Sequence, residues 1–412
     1  MTTTARLPAT PPKSQPQGNG LRIVYFVHNL NDPAVAKRLL MLHAAGFETI
    51  LAGFWRGASP PSEIAGARTV PLGRTFDSRL VHRGLVTARH ALASRKLLQK
   101  LGPADLFLAR NLEMLAIAVA VKGHATGPLA VIYEVLDIHR SLLSTRRIGK
   151  IARLIERILM SKTDHLITSS PAFLREYFET VQFPHHRLPT NVIENKMLRL
   201  QFDDTAKVES ELASGPPWRI GWFGMIRCRR SLEMLRNLAS KRPDLVQIEI
   251  CGRPAQSVFG NFENGVQAVP ALHFGGAYAQ AELERLYASV HFNWAIDYFE
   301  ENGNSEWLLP NRIYEGGSFN AIPFALRRAE TGRWLKAMHL GVLMDDPAVE
   351  LESFLERLTP VAFRTLKDAA RNAPRTAFIA DQSDCNRMAS VLNDVVRLRQ
   401  RAWFMERASQ LA

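Results

Sequence analysis

LLPNRIYEGGSFNAIP, residues Leu308–Pro323, carries one acidic residue, Glu315, on a short helix opened by a proline and closed by a glycine pair. Pro310 suits the first turn of a helix, where its missing N–H leaves no bond unmade. Asn311, Arg312 and Glu315 are spaced three to four residues apart and share a helical face, whereas Ile313 and Tyr314 lie to its sides and can pack. Gly316 and Gly317 end the helix, and a strand enters at Ile322. A carboxylate in this setting is placed to accept two sugar hydroxyls, and the loop-to-helix junction can turn backbone N–H groups toward a phosphate. An ordinary helix with a solvated glutamate has the same pattern, so the rest of the chain must decide.

Outward from this stretch, strands alternate with helices in both directions. Toward the N-terminus the spacing predicts strands at Leu21–His28, Glu48–Gly53, Asp105–Ala109, Leu129–Val135 and His165–Ser169, separated by helices from Pro33, Leu112, Arg147 and Pro171. A second series begins at Trp218, with strands at Arg219–Phe223, Leu245–Cys251, Leu272–Phe274 and His291–Ala295 and helices at Leu232–Ser240 and Gln280–Ala288. This is an α/β chain with parallel sheets. Expected boundaries are a disordered tail at 1–20, an N-terminal domain at 21–202, a linker at 203–217, a C-terminal domain at 218–382 and a final helical segment at 383–412.

Composition narrows the classes. The 412 residues are 46% hydrophobic and 22% charged, as in soluble globular proteins. Cys228, Cys251 and Cys385 are far apart, which predicts neither disulfides nor a zinc site and fits a reducing compartment. Asp203-Asp204 lies in the expected linker with no further ligands evident, and Asp345-Asp346 reads equally as a solvated turn, so no metal is expected. Neither a secretory signal nor a membrane-spanning run is read, and a cytoplasmic location is expected. The loop after the first strand, His28–Asp32, lacks a GxGxxG fingerprint, which disfavours a dinucleotide cofactor.

The net charge of +13 is concentrated in part in Ser78–Ala104, with six Lys/Arg and no acid, and in Arg140–Lys162, with seven and only Glu156. Both read as helices with aliphatic residues between the basic ones, a pattern that suits an anionic membrane surface or a phosphate-bearing partner. A solvated cationic face is the alternative. Nucleic acid is not expected, because no aromatics are interleaved and no binding motif is present.

Ligands of open parallel sheets bind off the carboxyl ends of the strands. In the N-terminal series that rim collects His28, Asn29, Asp32, Arg110, Asn111, Glu134, Asp137 and His139. In the second series Gly224 follows a strand, and Arg227, Arg229 and Arg230 precede a helix, an arrangement suited to a diphosphate.

Three stretches together resemble a glycosyltransferase of the bacterial "group 1" type with the GT-B architecture. They are Tyr133–Arg140 with Ile155–Phe178, Arg219–Leu235, and Leu309–Leu326. The start YFVHNLNDPAVAKR and the strand LAGFWR are most similar to enzymes of exopolysaccharide assembly, including the rhizobial succinoglycan type. The resemblance implies two Rossmann-like domains facing a cleft, the C-terminal one holding a nucleotide-sugar donor and the N-terminal one the acceptor. It also implies a last helix that crosses back to the N-terminal domain, here through Val395, Leu398, Trp403 and Phe404. Glu315 matches the family glutamate on the ribose, Arg230 the phosphate-binding lysine and Gly224 the glycine after the first donor-domain strand, with Arg227, Asn311 and Arg312 beside them. The usual second glutamate eight residues earlier is Trp307, with Glu306 adjacent, and Met225 and Leu136 replace a family arginine and histidine.

The expected activity is metal-independent transfer of a hexose from a nucleotide diphosphate sugar, UDP favoured, to a lipid-linked glycan of a bacterial exopolysaccharide, at the inner face of the plasma membrane. The donor is a substrate, and no cofactor is expected. His28, Asn29, Arg110, Asn111 and Glu134 would lie on the acceptor side, with Asp32, Asp137 and His139 as candidate bases if the reaction inverts. A nucleotide-sugar epimerase of the same fold and a non-catalytic binding protein are the alternatives.

Overall fold

The computed structural model describes residues 20–75, 80–200, 212–260 and 262–411. The expected tail, most of the expected linker with Asp203 and Asp204, and Arg79 of the first basic stretch lie outside them. The described residues fall into two units, 20–200 with 381–411, and 212–380.

In the first unit the strands are β1 (Arg22–Val27), β2 (Glu48–Trp55), β3 (Glu63–Ile64), β4 (Ala67–Arg74), β5 (Leu106–Arg110), β6 (Ala130–Val135), β7 (His165–Thr168) and β8 (Thr190–Val192). They form one sheet in the order β3-β4-β2-β1-β5-β6-β7-β8, parallel except for the short hairpin strand β3. β1 is central, running in register with β2 from Arg22↔Glu48 to Val27↔Gly53 and with β5 from Ile23↔Leu106. Its near-continuous apolar sequence, RIVYFV, reflects burial on both faces.

Helix Pro33–Ala44 starts where expected, with the Asp32 carboxylate accepting from the Ala34 N–H at 2.9 Å. The C-terminal helix Gln382–Leu411 belongs to this unit. Cys385, Met388, Ala389, Leu392, Val395 and Val396 share one apolar core with Ile23, Tyr25, Leu39 and Leu42. Of the four residues expected to dock it, Val395 is buried, but Leu398 and Phe404 are 62% and 63% exposed. The docking face lies earlier in the helix than expected.

In the second unit β10 (Trp218–Ile226), β11 (Val246–Pro254), β12 (Leu272–Phe274), β13 (Phe292–Trp294), β14 (Ile322–Leu326) and β15 (Val342–Met344) form an all-parallel sheet in the order β12-β11-β10-β13-β14-β15. (A short strand, Met197–Leu198, takes the label β9 in chain order.) Trp218, Ile220 and Trp222 of β10 face a core shared with Leu232, Leu235, Phe292 and Phe324, and the alternate Phe223 packs edge-on against Tyr287 on the other face.

Both sheets reverse direction of winding beside their first strand, between β1 and β5 and between β10 and β13. In a doubly wound sheet the crevice outside the strand ends at that reversal is where a ligand binds. Each unit therefore has one topologically defined place for a site.

Candidate functional site

The reversal in the unit 212–380 is floored by glycine. Gly224 lies near the carboxyl end of β10 at φ +104°, and its neighbour Gly252 on β11 stands so close that a Cβ there would lie 1.7 Å from the Gly224 carbonyl oxygen. Gly252 N–H donates to the Gly276 carbonyl at 2.7 Å, so three adjacent strand ends present bare backbone.

Helix Asn311–Ser318 leans on this floor. Pro310 sits one position before its first residue, at the cap. The Arg312 guanidinium donates to the carbonyls of Phe223 at 2.6 Å and Met225 at 2.7 Å, on either side of Gly224. The Asn293 amide, buried on β13, donates to the Arg312 carbonyl at 2.8 Å. A side chain at Gly316 would collide with that amide, at 2.6 Å. Glu315 is thus carried one helical turn from the glycine floor, where the Tyr287 hydroxyl donates to it at 3.3 Å. Tyr278 completes the group. Burial chiefly, and the nearby Glu315 carboxylate next, hold both phenols well above their ordinary pKa, so they remain hydrogen-bond donors. Beside them a recess of about 530 Å³ is lined by Cys251, Gly275, Tyr278, Glu249 and His273 among others.

The arginines expected to join Glu315 form a separate cluster. Helix Arg229–Lys241 begins earlier than expected, so Arg229 and Arg230 occupy its first turn rather than a loop, and the Cys228 thiol caps it by accepting from Ser231 N–H at 3.3 Å. Arg227 is held by the nearly buried Asp297 at 3.0 Å and lies over the Phe299 ring. Arg230 lies 4.1 Å from the centroid of Tyr298 and 3.3 Å from Glu301. Glu301 and Glu306 both bind Arg328, at 2.8 and 3.0 Å. Glu306 therefore shares Arg328 with Glu301. The carboxylates Asp297 and Glu301 and the cation Arg328 were not among the expected residues. Asp297 and Glu301 lie just past β13, in a stretch with no periodicity, and Arg328 lies just past β14.

In the other unit the rim residues divide by depth. His28, Asp32, Arg110 and Asn111 come together: His28 Nδ1 is 3.5 Å from the Asn111 amide, its Nε2 is 3.9 Å from Asp32, and Arg110 Nη1 is 4.0 Å from Asp32. Burial chiefly lowers the His28 pKa to about 4, so its ring is neutral near pH 7. Asn111 takes φ 71° at the start of helix Leu112–Lys122, an uncommon conformation for a residue with a side chain. Asn29 closes a local turn by accepting from Asn31 N–H at 3.2 Å.

Glu134 lies below the rim. It is 1% exposed and accepts from Tyr25 at 2.6 Å, Arg38 at 2.7 Å and Arg110 at 2.8 Å. This corrects its place among acceptor-side residues, since no face of the carboxylate is open to a ligand. Arg110 is equally buried, although its Nη1 makes no hydrogen bond and lies toward Asp32. Asp137 is exposed, and His139 caps helix Arg140–Leu143 by accepting from Ser141 N–H at 3.2 Å. Among the described residues no group of three or more His, Cys, Asp or Glu could hold a metal ion.

No family model matches the chain. It is 38% identical over 377 residues to the succinoglycan biosynthesis protein ExoL of Rhizobium meliloti (strain 1021), covering 90% of this chain and 93% of that one. Among solved structures it is similar to the sucrose-phosphate synthase of Thermosynechococcus elongatus, with a TM-score of 0.69, 14% identity and coverage of 92% and 100%. It is also similar to Anabaena Alr3699/HepE in complex with UDP-glucose, with a TM-score of 0.63, 13% identity and coverage of 91% and 99%. The chain belongs to the family of the succinoglycan biosynthesis protein ExoL, on a GT-B glycosyltransferase fold.

Proposed function

We propose that this glycosyltransferase of exopolysaccharide biosynthesis takes a hexose from a UDP-sugar bound by the unit 212–380 and transfers it to a lipid-linked glycan. The observation that carries the proposal is the Glu315 carboxylate set beside two phenols at a floor of three glycines, at the reversal of a doubly wound sheet. A carboxylate there accepts the paired hydroxyls of a ribose, and bare backbone lets a diphosphate approach. A likeness in fold to a protein solved with UDP-glucose supports the choice of nucleotide.

The departing diphosphate gains negative charge as the sugar becomes oxocarbenium-like. Arg227 and Arg230, held in place by Asp297 and Glu301, and the N–H groups opening helix Arg229–Lys241 are assigned to that charge. With two arginines and a helix end on the leaving group, the step needs no divalent ion. Glu306 acts in this reading through Arg328, and Asn311 and Arg312 position Glu315. If the anomeric carbon inverts, a base must take the acceptor proton. Asp32 is favoured over Asp137 and His139, because Arg110 and His28 fix it at a strand end. The acceptor's lipid places the reaction at the inner face of the plasma membrane.

The test is incubation of the full chain with radiolabelled UDP-glucose or UDP-galactose, with and without lipid-linked oligosaccharide, in the presence of a chelator. Label entering the lipid fraction with stoichiometric UDP release is expected. Conversion of the sugar nucleotide without acceptor identifies the epimerase, and binding without turnover in either condition a non-catalytic protein.

A further inference from the structure

Helix Arg147–Met160 is built inside out. Its one acid, Glu156, is fully buried and accepts hydrogen bonds from Tyr133 at 2.9 Å, Gln182 at 2.7 Å and the Tyr177 hydroxyl. Arg153 also points inward and is spent on the carbonyls of Leu142 and Ser144, at 2.6 and 2.8 Å. Gly149 lies against the same turn, where a Cβ would come within 2.0 Å of the Ser144 oxygen. These bonds fix the helix's rotation about its axis. The opposite face then carries Ile148, Ile151, Leu154, Ile155 and Ile158, between 46% and 63% exposed. At 100° per residue they form one continuous stripe along the helix.

Single exposed aliphatics are ordinary, but a contiguous row of five β- and γ-branched side chains marks an interaction surface. Its surroundings identify the partner. Arg146, Arg147, Lys150 and Lys162 are exposed along the same segment, and from Arg140 to Lys162 the only acid is the buried Glu156. Two copies meeting through this face would set cation against cation whichever way the helices crossed. An anionic bilayer satisfies both features at once, taking the aliphatic stripe into its headgroup boundary and the basic flank onto its phosphates. No described helix is long and apolar enough to cross a membrane, so the mode is lying on the surface.

We propose that the outward stripe Ile148–Ile158, with Arg147 and Lys150 beside it, docks the protein flat onto anionic phospholipid. This deepens the membrane-face reading above and names the surface that makes it. Held by the buried Glu156 cluster, the helix is presented already rotated, so docking needs no refolding.

The experiment is flotation of the full chain with vesicles of phosphatidylglycerol and phosphatidylcholine, and with phosphatidylcholine alone. Two variants test the two features: Ile151→Ser/Leu154→Ser/Ile158→Ser, and Arg147→Glu/Lys150→Glu. Wild type should float with the anionic vesicles and much less with the neutral ones. The serine variant should lose at least about tenfold in partitioning, and the charge variant about fivefold per charge removed, with the remaining binding less sensitive to salt. Both variants should melt like wild type and bind UDP as it does. Flotation equal to wild type in both variants overturns the proposal, as does a wild type that fails to float. So does a wild-type dimer that the serine variant dissociates. Loss of UDP binding in wild type overturns the donor reading alone and leaves this surface standing.

Discussion

Glu134→Ala is expected to destabilise the unit 20–200 with 381–411 by about 3–5 kcal/mol, because it strands two buried guanidinium groups. Arg38 and Arg110 both end on this carboxylate, with side chains 5% and 1% exposed, and Tyr25 donates to it as well. Burial works to raise the Glu134 pKa, but Arg110 and then Arg38 overcome it and hold the group at about 2. A carboxylate whose folded pKa lies below its unfolded one contributes stability that is complete above the unfolded value. That contribution is lost as pH falls from about 4.5 through about 2. Urea unfolding of wild type should therefore weaken over that window, and Glu134→Ala should be flatter across it. Removing all three charges together, as Arg38→Met/Arg110→Met/Glu134→Leu, should cost less stability than Glu134→Ala alone, since no charge is then left unpaired. The cluster is a clamp between β1, β5 and β6, and through Arg110 it sets the place of Asp32.

Arg312→Ala should reduce both the stability of the unit 212–380 and its affinity for UDP. The side chain makes two charge-assisted bonds to the carbonyls on either side of Gly224, so it fastens the helix that carries Glu315 to the strand end that forms the floor. At roughly 1.5–3 kcal/mol for each such bond, a loss of about 3 kcal/mol in stability is expected. UDP binding should fall at least about tenfold, since a near-angstrom drift of the helix misplaces the carboxylate. Arg312→Lys should recover less than half of either effect, because one ammonium does not reproduce a planar fork bridging two fixed carbonyls. A lysine variant indistinguishable from wild type in calorimetry and thermal melting would show that the fork is not needed.

Much of this was legible in the residues. Apolar runs bounded by glycine and proline located the long parallel strands, and the proline and glycines around Glu315 marked its helix to within a residue or so. β4 escaped because Pro71 and Gly73 argue against a strand interior; it pairs with β2 through a register shift beside Gly53/Phe54 that accommodates them. β8, three residues long, has too few positions to show alternation. Depth was the other gap. A strand-end carboxylate such as Glu134 faces a ligand or the core depending on where its neighbours stand, and Tyr25 and Arg38 are remote in sequence. The same holds for Tyr278 and Tyr287 around Glu315, and for Asp297 and Glu301 behind the arginines. Pairing of this kind is a property of the strand order, which local pattern does not contain. The outward face of helix Arg147–Met160 was visible as a basic amphipathic pattern, but only the buried Glu156 shows which side is in.

Calorimetric titration of UDP into the full chain, in chelator, for wild type and Glu315→Ala, tests the central claim most directly. The account predicts binding by wild type without any divalent ion. It predicts a loss of about a hundredfold in the variant, from two hydroxyl bonds to a carboxylate at roughly 1.5 kcal/mol each, with an unchanged melting temperature. A wild type that does not bind UDP, or a variant that binds it equally well, would contradict the account.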